Sequence, residues 1–167
     1  MKKTLFLFFI LALVLPTIAH SAGSVTQTLT AQEPAGISTG GQVQLLTFYF
    51  TGSADDGTVP STATSTDITA AIQGMCIYEV ITNPGATKPT DNYDIVLNDA
   101  DGADMMGGTL ADRDETNSER AVPLLMTTKL GTEVFGCSLV NGAMTLVITN
   151  QNVHSATGTV KVFLKRP

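Results

Sequence analysis

The feature that most constrains the fold is a repeated alternation of apolar and polar residues with a period of two. It is clearest in residues 144–149 and 160–165, and Tyr93, Ile95 and Leu97 follow it as well. Successive side chains of a β-strand point to opposite faces of its sheet, so this alternation predicts strands that bury one face. The chain is therefore expected to fold mainly from short strands.

Further segments are rich in β-branched and aromatic residues and are predicted as strands. They are residues 43–51, 75–82, 122–128 and 134–140. The first is apolar on both faces, which favours a strand buried in a sandwich, whereas Pro123 restricts the third to a sheet edge or a strand start. About seven short strands separated by Gly, Pro, Asn and Asp predict an all-β fold, a single antiparallel β-sandwich or jelly roll.

Two local features are also predicted. The strands 144–149 and 160–165 are joined by the polar residues 150–158, which favours an antiparallel hairpin with a long loop. Asp67 can cap a single helical turn over residues 68–72, which is too short to form an independent helix.

The N-terminus has the three parts of a secretory signal peptide. Lys2 and Lys3 precede an unbroken apolar run, residues 5–15, and small residues follow from Ala19. The run is shorter than the roughly 20 residues of a transmembrane helix, and an uncleaved N-terminal anchor is the alternative. Cleavage is predicted after Ser21, or alternatively after Ala19 or Ala22. The protein is therefore expected to be secreted or periplasmic, with no membrane association after cleavage.

These patterns divide the chain into three parts. Residues 1–22 are the predicted signal peptide, residues 23–42 a flexible N-terminal arm rich in Ser, Thr, Gln and Gly, and residues 43–167 the β-sandwich domain. The roughly 145 residues after the signal peptide suit one domain with one core.

The charge of the chain argues against a nucleic-acid partner. The whole chain carries a net charge of −6, and loss of Lys2 and Lys3 with the signal peptide leaves seven basic against fifteen acidic residues. Nucleic-acid binding depends on clustered Lys and Arg, and the only such cluster is Lys165-Arg166. Protein partners or self-assembly are expected instead.

Cys76 and Cys137 are the only cysteines, and they are too far apart in sequence for a CxxC or zinc-binding motif. An even pair in an exported protein predicts one disulfide. Two separate buried thiols are the alternative, because free cysteine packs as a small apolar residue.

The acidic stretch from Asp91 to Glu119 holds nine of the fifteen carboxylates. Within it, Asp99, Asp101 and Asp104 lie around Gly102 and offer hard oxygen ligands of the kind that calcium requires. The spacing differs from that of an EF-hand loop. The favoured alternative is a polar turn in which Asp side chains bond their own backbone and the glycine has positive φ. No other cofactor is expected.

No arrangement of residues predicts catalysis, so the protein is not expected to be an enzyme. His154 is the only histidine after the signal peptide and lies in a polar connection, where an exposed turn position is expected. Asp112 and Asp114 could serve as the acid and base of a glycosidase, but no aromatic sugar-binding residue lies near them in sequence. Gly107-Gly108 lacks the Lys and the helix start of a phosphate-binding loop.

Residues 89–108, PTDNYDIVLNDADGADMMGG, contain a strand that ends in a YDxxLxDxDG pattern and is followed by a Gly-rich loop. Together with Ala111-Asp112-Arg113, Ser118-Glu119-Arg120 and the last two predicted strands, this part of the chain resembles small β-rich structural proteins of tailed bacteriophages. The resemblance covers about residues 75–167 and implies a virion-like building block that packs against copies or partners. A signal peptide is not part of that family's pattern. It indicates either a prophage-derived gene recruited for export or a shared fold with another role.

Three functions are therefore compared. The first is an exported, non-enzymatic structural protein that acts by protein–protein packing. The second is a surface adhesion or fimbrial-type subunit, with or without bound calcium, although residues 163–167 lack the aromatic ending associated with pilins of the chaperone–usher class. The third is a secreted hydrolase that acts through Asp112 and Asp114. We expect the first.

Overall fold

The computed structural model describes residues 21–31, 43–127 and 132–167. The predicted signal peptide, residues 1–22, lies outside these ranges except for Ser21 and Ala22. Within them the chain forms strands and one short helix, α1, over Thr66–Ile72. The strands are β1 Ser24–Ala31, β2 Val43–Thr51, β3 Thr62–Ala63, β4 Cys76–Pro84, β5 Asp94–Asn98, β6 Glu119–Ala121, β7 Leu124–Thr127, β8 Glu133–Phe135, β9 Ser138–Leu139, β10 Thr145–Thr149 and β11 Thr157–Lys165.

Two antiparallel sheets pack on one another. The large sheet has the order β1-β2-β11-β4-β6, and β9 pairs with a different part of β4. The small sheet has the order β3-β10-β5, and β7 and β8 form a separate two-stranded ribbon. Apolar side chains from both sheets form one buried core. The predicted all-β fold built from packed antiparallel sheets is therefore confirmed.

The period-two alternation produces the facing surfaces of the two sheets. In β11, Val160, Val162 and Leu164 are fully buried, while the residues between them are half-buried. In the small sheet the buried positions are Leu146 and Ile148 of β10 and Ile95 and Leu97 of β5. Each of these three strands thus presents one apolar face to the core, as its sequence predicts.

The predicted hairpin between the last two long strands is wrong. β10 pairs with β3 and β5 in the small sheet, whereas β11 pairs with β2 and β4 in the large sheet. Residues 150–156 cross from one sheet to the other. Both strands have an apolar face to bury, and placing them on opposite sheets lets both faces contribute to the one core between the sheets.

Other predicted bounds hold in part. Strand 43–51 is confirmed, but Tyr49 is 47% exposed, so only one face is fully apolar and buried. The strand predicted to end before Asn83 continues through Pro84, which pairs with Gly158. Residues 134–140 contain two short strands rather than one, and β7 starts directly after Pro123. Residue 128 of the predicted strand 122–128 lies outside the described residues.

The helical turn begins earlier than predicted. The N-cap of α1 is Ser65, whose Oγ accepts a hydrogen bond from the backbone N–H of Ile68 at 3.4 Å. Asp67 lies in the first turn, where a negative charge is favoured by the helix dipole. The prediction of Asp67 as the cap is therefore wrong, since Ser and Asp are equally suitable N-caps and the sequence does not distinguish them.

The flexible arm predicted for residues 23–42 is wrong for its first part, and residues 32–42 lie outside the described residues. Residues 24–31 form β1, which pairs with β2 over its whole length. Val25 and Leu29 pack against the core from this strand. Thr is a strong β-former, and Thr occupies three of the alternate exposed positions of β1.

Gln27 of β1 joins the two sheets. Its Nε2 donates to the carbonyl of Ala63 at 2.7 Å, and its Oε1 accepts from the backbone N–H of Ser65 at 3.2 Å. The side-chain amide of Gln27 thereby supplies the hydrogen-bond partners that a neighbouring strand would give to these two backbone groups.

We predict that Gln27→Ala lowers the free energy of unfolding by about 1–2 kcal/mol, because two backbone groups lose their partners. Urea denaturation followed by circular dichroism measures the change. Thr26→Ala is the matched control on the same strand, since Thr26 is exposed. Equal stability of the Gln27→Ala variant and the control would contradict this role.

Candidate functional site

Two of the three predicted calcium ligands, Asp99 and Asp104, accept hydrogen bonds from the backbone of their own loop, and the third, Asp101, is exposed. The carboxylate Oδ1 of Asp99 accepts from the N–H groups of Asp101 and Ala103 at 2.9 and 2.8 Å. Asp104 accepts from the N–H groups of Met106 and Gly108 at 2.9 and 2.6 Å.

These bonds close a tight turn. Gly102 has a φ of 87° and its N–H donates to the carbonyl of Asp99 at 3.1 Å. This is the geometry of the polar-turn alternative, in which glycine adopts a conformation that side chains disfavour. In the described part of the chain, no group of three or more His, Cys, Asp or Glu residues is placed to hold a metal ion.

Asp114 likewise organises its own loop. Its carboxylate accepts from the N–H of Asn117 at 2.6 Å, from the side-chain amide of Asn117 at 3.1 Å, and from the N–H of Thr116. These bonds lower the pKa of Asp114, and the bond from the backbone N–H of Asn117 has the largest effect. The carboxylate is therefore ionised at neutral pH. A glycosidase acid needs the opposite shift. His154 is exposed, as its position in a polar connection predicts.

Tyr93, near the start of the acidic stretch, is fully buried, and its hydroxyl has no hydrogen-bond partner in the described part of the chain. Its ring centroid is 6.2 Å from that of Phe50. Phe50 belongs to β2 of the large sheet and Tyr93 directly precedes β5 of the small sheet, so this ring contact links the two sheets. Burial raises the pKa of Tyr93 to about 12, and the nearby Arg113 opposes this rise. The residue therefore acts as a large apolar side chain of the core.

The predicted disulfide between Cys76 and Cys137 is present, with Cα atoms 5.3 Å apart. It joins the start of β4 to the residue just before β9, where the two strands already pair through Cys76 and Leu139. A bond that closes a loop across 61 residues stabilises the fold by about 4 kcal/mol on the chain-entropy estimate. It fixes one end of an exposed apolar region.

The centre of that region is Tyr78, which is not among the site residues predicted from the sequence. In the pairing of β4 with β11, Phe163 is opposite Glu79 and Leu164 is opposite Ile77, so Tyr78 is the extra residue of a β-bulge. The bulge changes the alternation, because Ile77 and Val80 are both buried although they are three residues apart. Tyr78 is consequently turned outward and is 62% exposed.

The signal that could have identified the bulge is present in the sequence. In Ile77-Tyr78-Glu79-Val80 the two aliphatic residues are separated by two positions, which breaks a strict period of two. A strand that continues through such a break needs an extra residue to bring both aliphatic side chains to the core.

Several exposed apolar side chains surround Tyr78, and we call this region the Tyr78 surface. It is a shallow concavity of about 380 Å³ lined by Tyr78, Val122, Phe135, Gly136 and Cys137. Phe135 and Val122 are 50% and 43% exposed, and Leu125, which lies over Gly136, is 50% exposed. Aromatic and aliphatic side chains clustered at this exposure mark surfaces that bind other molecules.

Charged groups border the Tyr78 surface. The ammonium group of Lys165 lies 5.8 Å from the centre of the Tyr78 ring, in cation–π geometry. On the next position of β4, Glu79 accepts from Nη1 of Arg120 at 2.8 Å. An apolar centre with a charged rim is the usual arrangement of a protein–protein interface.

Comparisons with known proteins found no match: no family model, curated protein or solved structure matches this chain. Among the described residues, no helix has the length and apolar character required to cross a membrane.

We predict that Asp99→Ala lowers the thermal unfolding midpoint, because the N–H groups of Asp101 and Ala103 lose their acceptor, at a cost of about 1–2 kcal/mol. Asp99→Asn keeps a side-chain oxygen and should retain most of the stability. Differential scanning calorimetry with added calcium and with a chelator should give the same midpoint for the wild type. A rise with calcium that Asp99→Asn abolishes would restore the metal-site interpretation.

We predict that Tyr93→Phe maintains or raises the free energy of unfolding, by up to about 2 kcal/mol, because it removes a buried hydroxyl without a partner. In the wild type the unfolded chain ionises Tyr93 near its ordinary pKa of 10.0 and the folded chain near 12, so stability falls as the pH rises between these values. Tyr93→Phe should remove up to about 3 kcal/mol of this alkaline loss. Urea titrations at a series of alkaline pH values measure it, with Tyr49→Phe as an exposed control.

Proposed function

We propose that the chain is an exported, non-enzymatic assembly protein that packs against other protein subunits through the Tyr78 surface. The observation that carries this proposal is the bulge that turns Tyr78 outward into a cluster of exposed apolar side chains. Aromatic side chains contribute strongly to binding, because each removes a large apolar area from water when an interface forms.

Export is supported by two independent features. Residues 1–22 have the pattern of a signal peptide, and a disulfide such as Cys76–Cys137 persists in oxidising compartments. Secretion or a periplasmic location fits both features. The disulfide also borders the Tyr78 surface, so an oxidising compartment would help to keep that surface in its binding conformation.

A building-block role is supported by the resemblance of residues 75–167 to structural proteins of tailed bacteriophages. That part of the chain includes β4, β8 and the rest of the Tyr78 surface. The carboxylates of Asp99, Asp104 and Asp114 hold backbone amides of their own loops, which favours a structural use of the acidic stretch over a catalytic one.

We predict that Tyr78→Ser shifts the protein from a larger complex in the exported fraction toward smaller species, because the centre of the interface loses its aromatic ring. Sedimentation of that fraction and light scattering of the pure chain measure the shift. Tyr49→Ser is the matched control, since Tyr49 is also an exposed tyrosine of the large sheet. The free energy of unfolding should change little in either variant.

Two results would contradict the proposal. One is a wild-type chain that is monomeric both in the exported fraction and at high concentration when pure. The other is an equal loss of association in Tyr78→Ser and Tyr49→Ser, since that would assign the effect to general surface polarity rather than to the Tyr78 surface.

A further inference from the structure

The large sheet ends in a long strand, β1, whose outer edge is open within the described residues. There β1 pairs only with β2, in a continuous register over all eight residues and without a bulge. Its sequence, SVTQTLTA, contains no charged residue and no proline. Proteins usually block such edges with charges, prolines, bulges or very short strands, because an open edge is a template for strand addition.

The other edges of the two packed sheets have such protection in the described part of the chain. The outer edge of β5 is covered by residues 104–113, where the N–H of Met105 donates to the carbonyl of Leu97 at 2.8 Å. The edge strand β3 has two residues and is closed by the amide of Gln27. At the far edge of the large sheet, β6 and β9 have only three and two residues. β1 is thus the long unprotected edge of the described fold.

We propose that β1 is a self-pairing site, at which a second copy of this chain adds its own β1 in antiparallel orientation across a twofold axis. Antiparallel pairing of a strand with its own copy is symmetric, so one edge supplies both halves of the interface. The pairing would join two large sheets into one continuous sheet. This inference rests on the proposed function, because self-pairing is one form of assembly.

The exposed side chains of β1 suit this pairing. Thr26, Thr28 and Thr30 lie on the outer face of the strand and are exposed. Threonines opposite one another on paired strands stabilise a sheet through their methyl groups and hydroxyls. They are too polar to drive general aggregation, so this edge favours a specific pairing through its backbone.

The distribution of charge favours a second copy as the occupant. Without Lys2 and Lys3 the exported chain has seven basic and fifteen acidic residues, an excess of negative charge that would repel a copy, but nine of the fifteen carboxylates lie between Asp91 and Glu119. This stretch includes β5 and β6. In the large sheet, β6 is at the opposite edge from β1. In the small sheet, β5 is at the opposite edge from β3, and β3 is the strand that contacts β1 through Gln27. Two copies joined at β1 therefore hold their most acidic parts far apart.

The test places matched charges on the paired strands. In the register centred on Thr28, in which Thr28 lies opposite its own copy and Thr26 opposite Thr30, Thr28→Lys and Thr28→Glu should each weaken dimerisation by about fivefold, because like charges then face each other across the twofold axis. An equimolar mixture of the two variants should restore association, which a folding defect would not allow. Thr149→Lys is the control, since Thr149 is an exposed strand residue of the small sheet. Sedimentation equilibrium from micromolar to millimolar concentration measures each dimer, which should be reversible because the interface is small.

Amide hydrogen exchange gives a second measurement that needs no variant. The outward N–H groups of β1 should become more protected as the wild-type concentration rises, while those of β10 should not change.

A wild type that remains monomeric at millimolar concentration overturns the inference, as does a dimer that neither Thr28 variant weakens. If association is lost in Tyr78→Ser but unaffected by the Thr28 variants, self-pairing through β1 is refuted and the proposed function stands. If the Thr28 variants act as expected and Tyr78→Ser does not, the role of the Tyr78 surface is refuted instead.

Discussion

The fold depends on the position of the C-terminal strand β11 in the centre of the large sheet. This strand pairs along one side with β2 and along the other with β4, so residues from three distant parts of the chain must meet before the sheet exists. Gly158 makes the approach possible: a Cβ there would lie 2.5 Å from Cζ of Phe50 and 3.0 Å from the carbonyl oxygen of Asn83. The Phe50 ring fills that space and reaches Tyr93 beyond it. One glycine thus lets two neighbouring strands and the core fit around β11.

Much of the strand content could be predicted from the sequence, because burial of one face leaves a period of two that is visible in β5, β10 and β11. The choice of partner strand leaves no such trace. β10 and β11 are neighbours in sequence with similar patterns, and a hairpin is the shortest connection between them, yet they lie in different sheets and each contributes its apolar face to the same core. β1 was missed for a different reason. Its apolar residues, Val25 and Leu29, are few, and only pairing with β2 makes its threonines part of a sheet.

The acidic stretch shows why composition alone could not define a site. Nine carboxylates in one segment suggest a cation or a catalytic pair, but an Asp beside a turn has an equally good partner in its own backbone. The structure shows Asp99, Asp104 and Asp114 bonded in this way. The Tyr78 surface, by contrast, depends on a single extra residue in β4. A shift of one position moves a side chain from one face of a sheet to the other, so a small local irregularity decides whether an aromatic ring is in the core or exposed at the surface.

The bulge and the open edge lie on the same sheet, and their separation determines what kind of assembly the chain could build. In the strand order β1-β2-β11-β4, three strand spacings lie between the edge and Tyr78, a distance of about 14 Å. Strand addition at β1 takes place in the plane of the sheet, whereas a subunit on Tyr78 approaches its outer face. The two contacts therefore do not compete for the same space.

A chain with one self-complementary edge and one apolar face on the same sheet has two independent attachment points. With only the edge it would stop at a dimer, and the second, differently directed contact is what would allow growth into a larger structure.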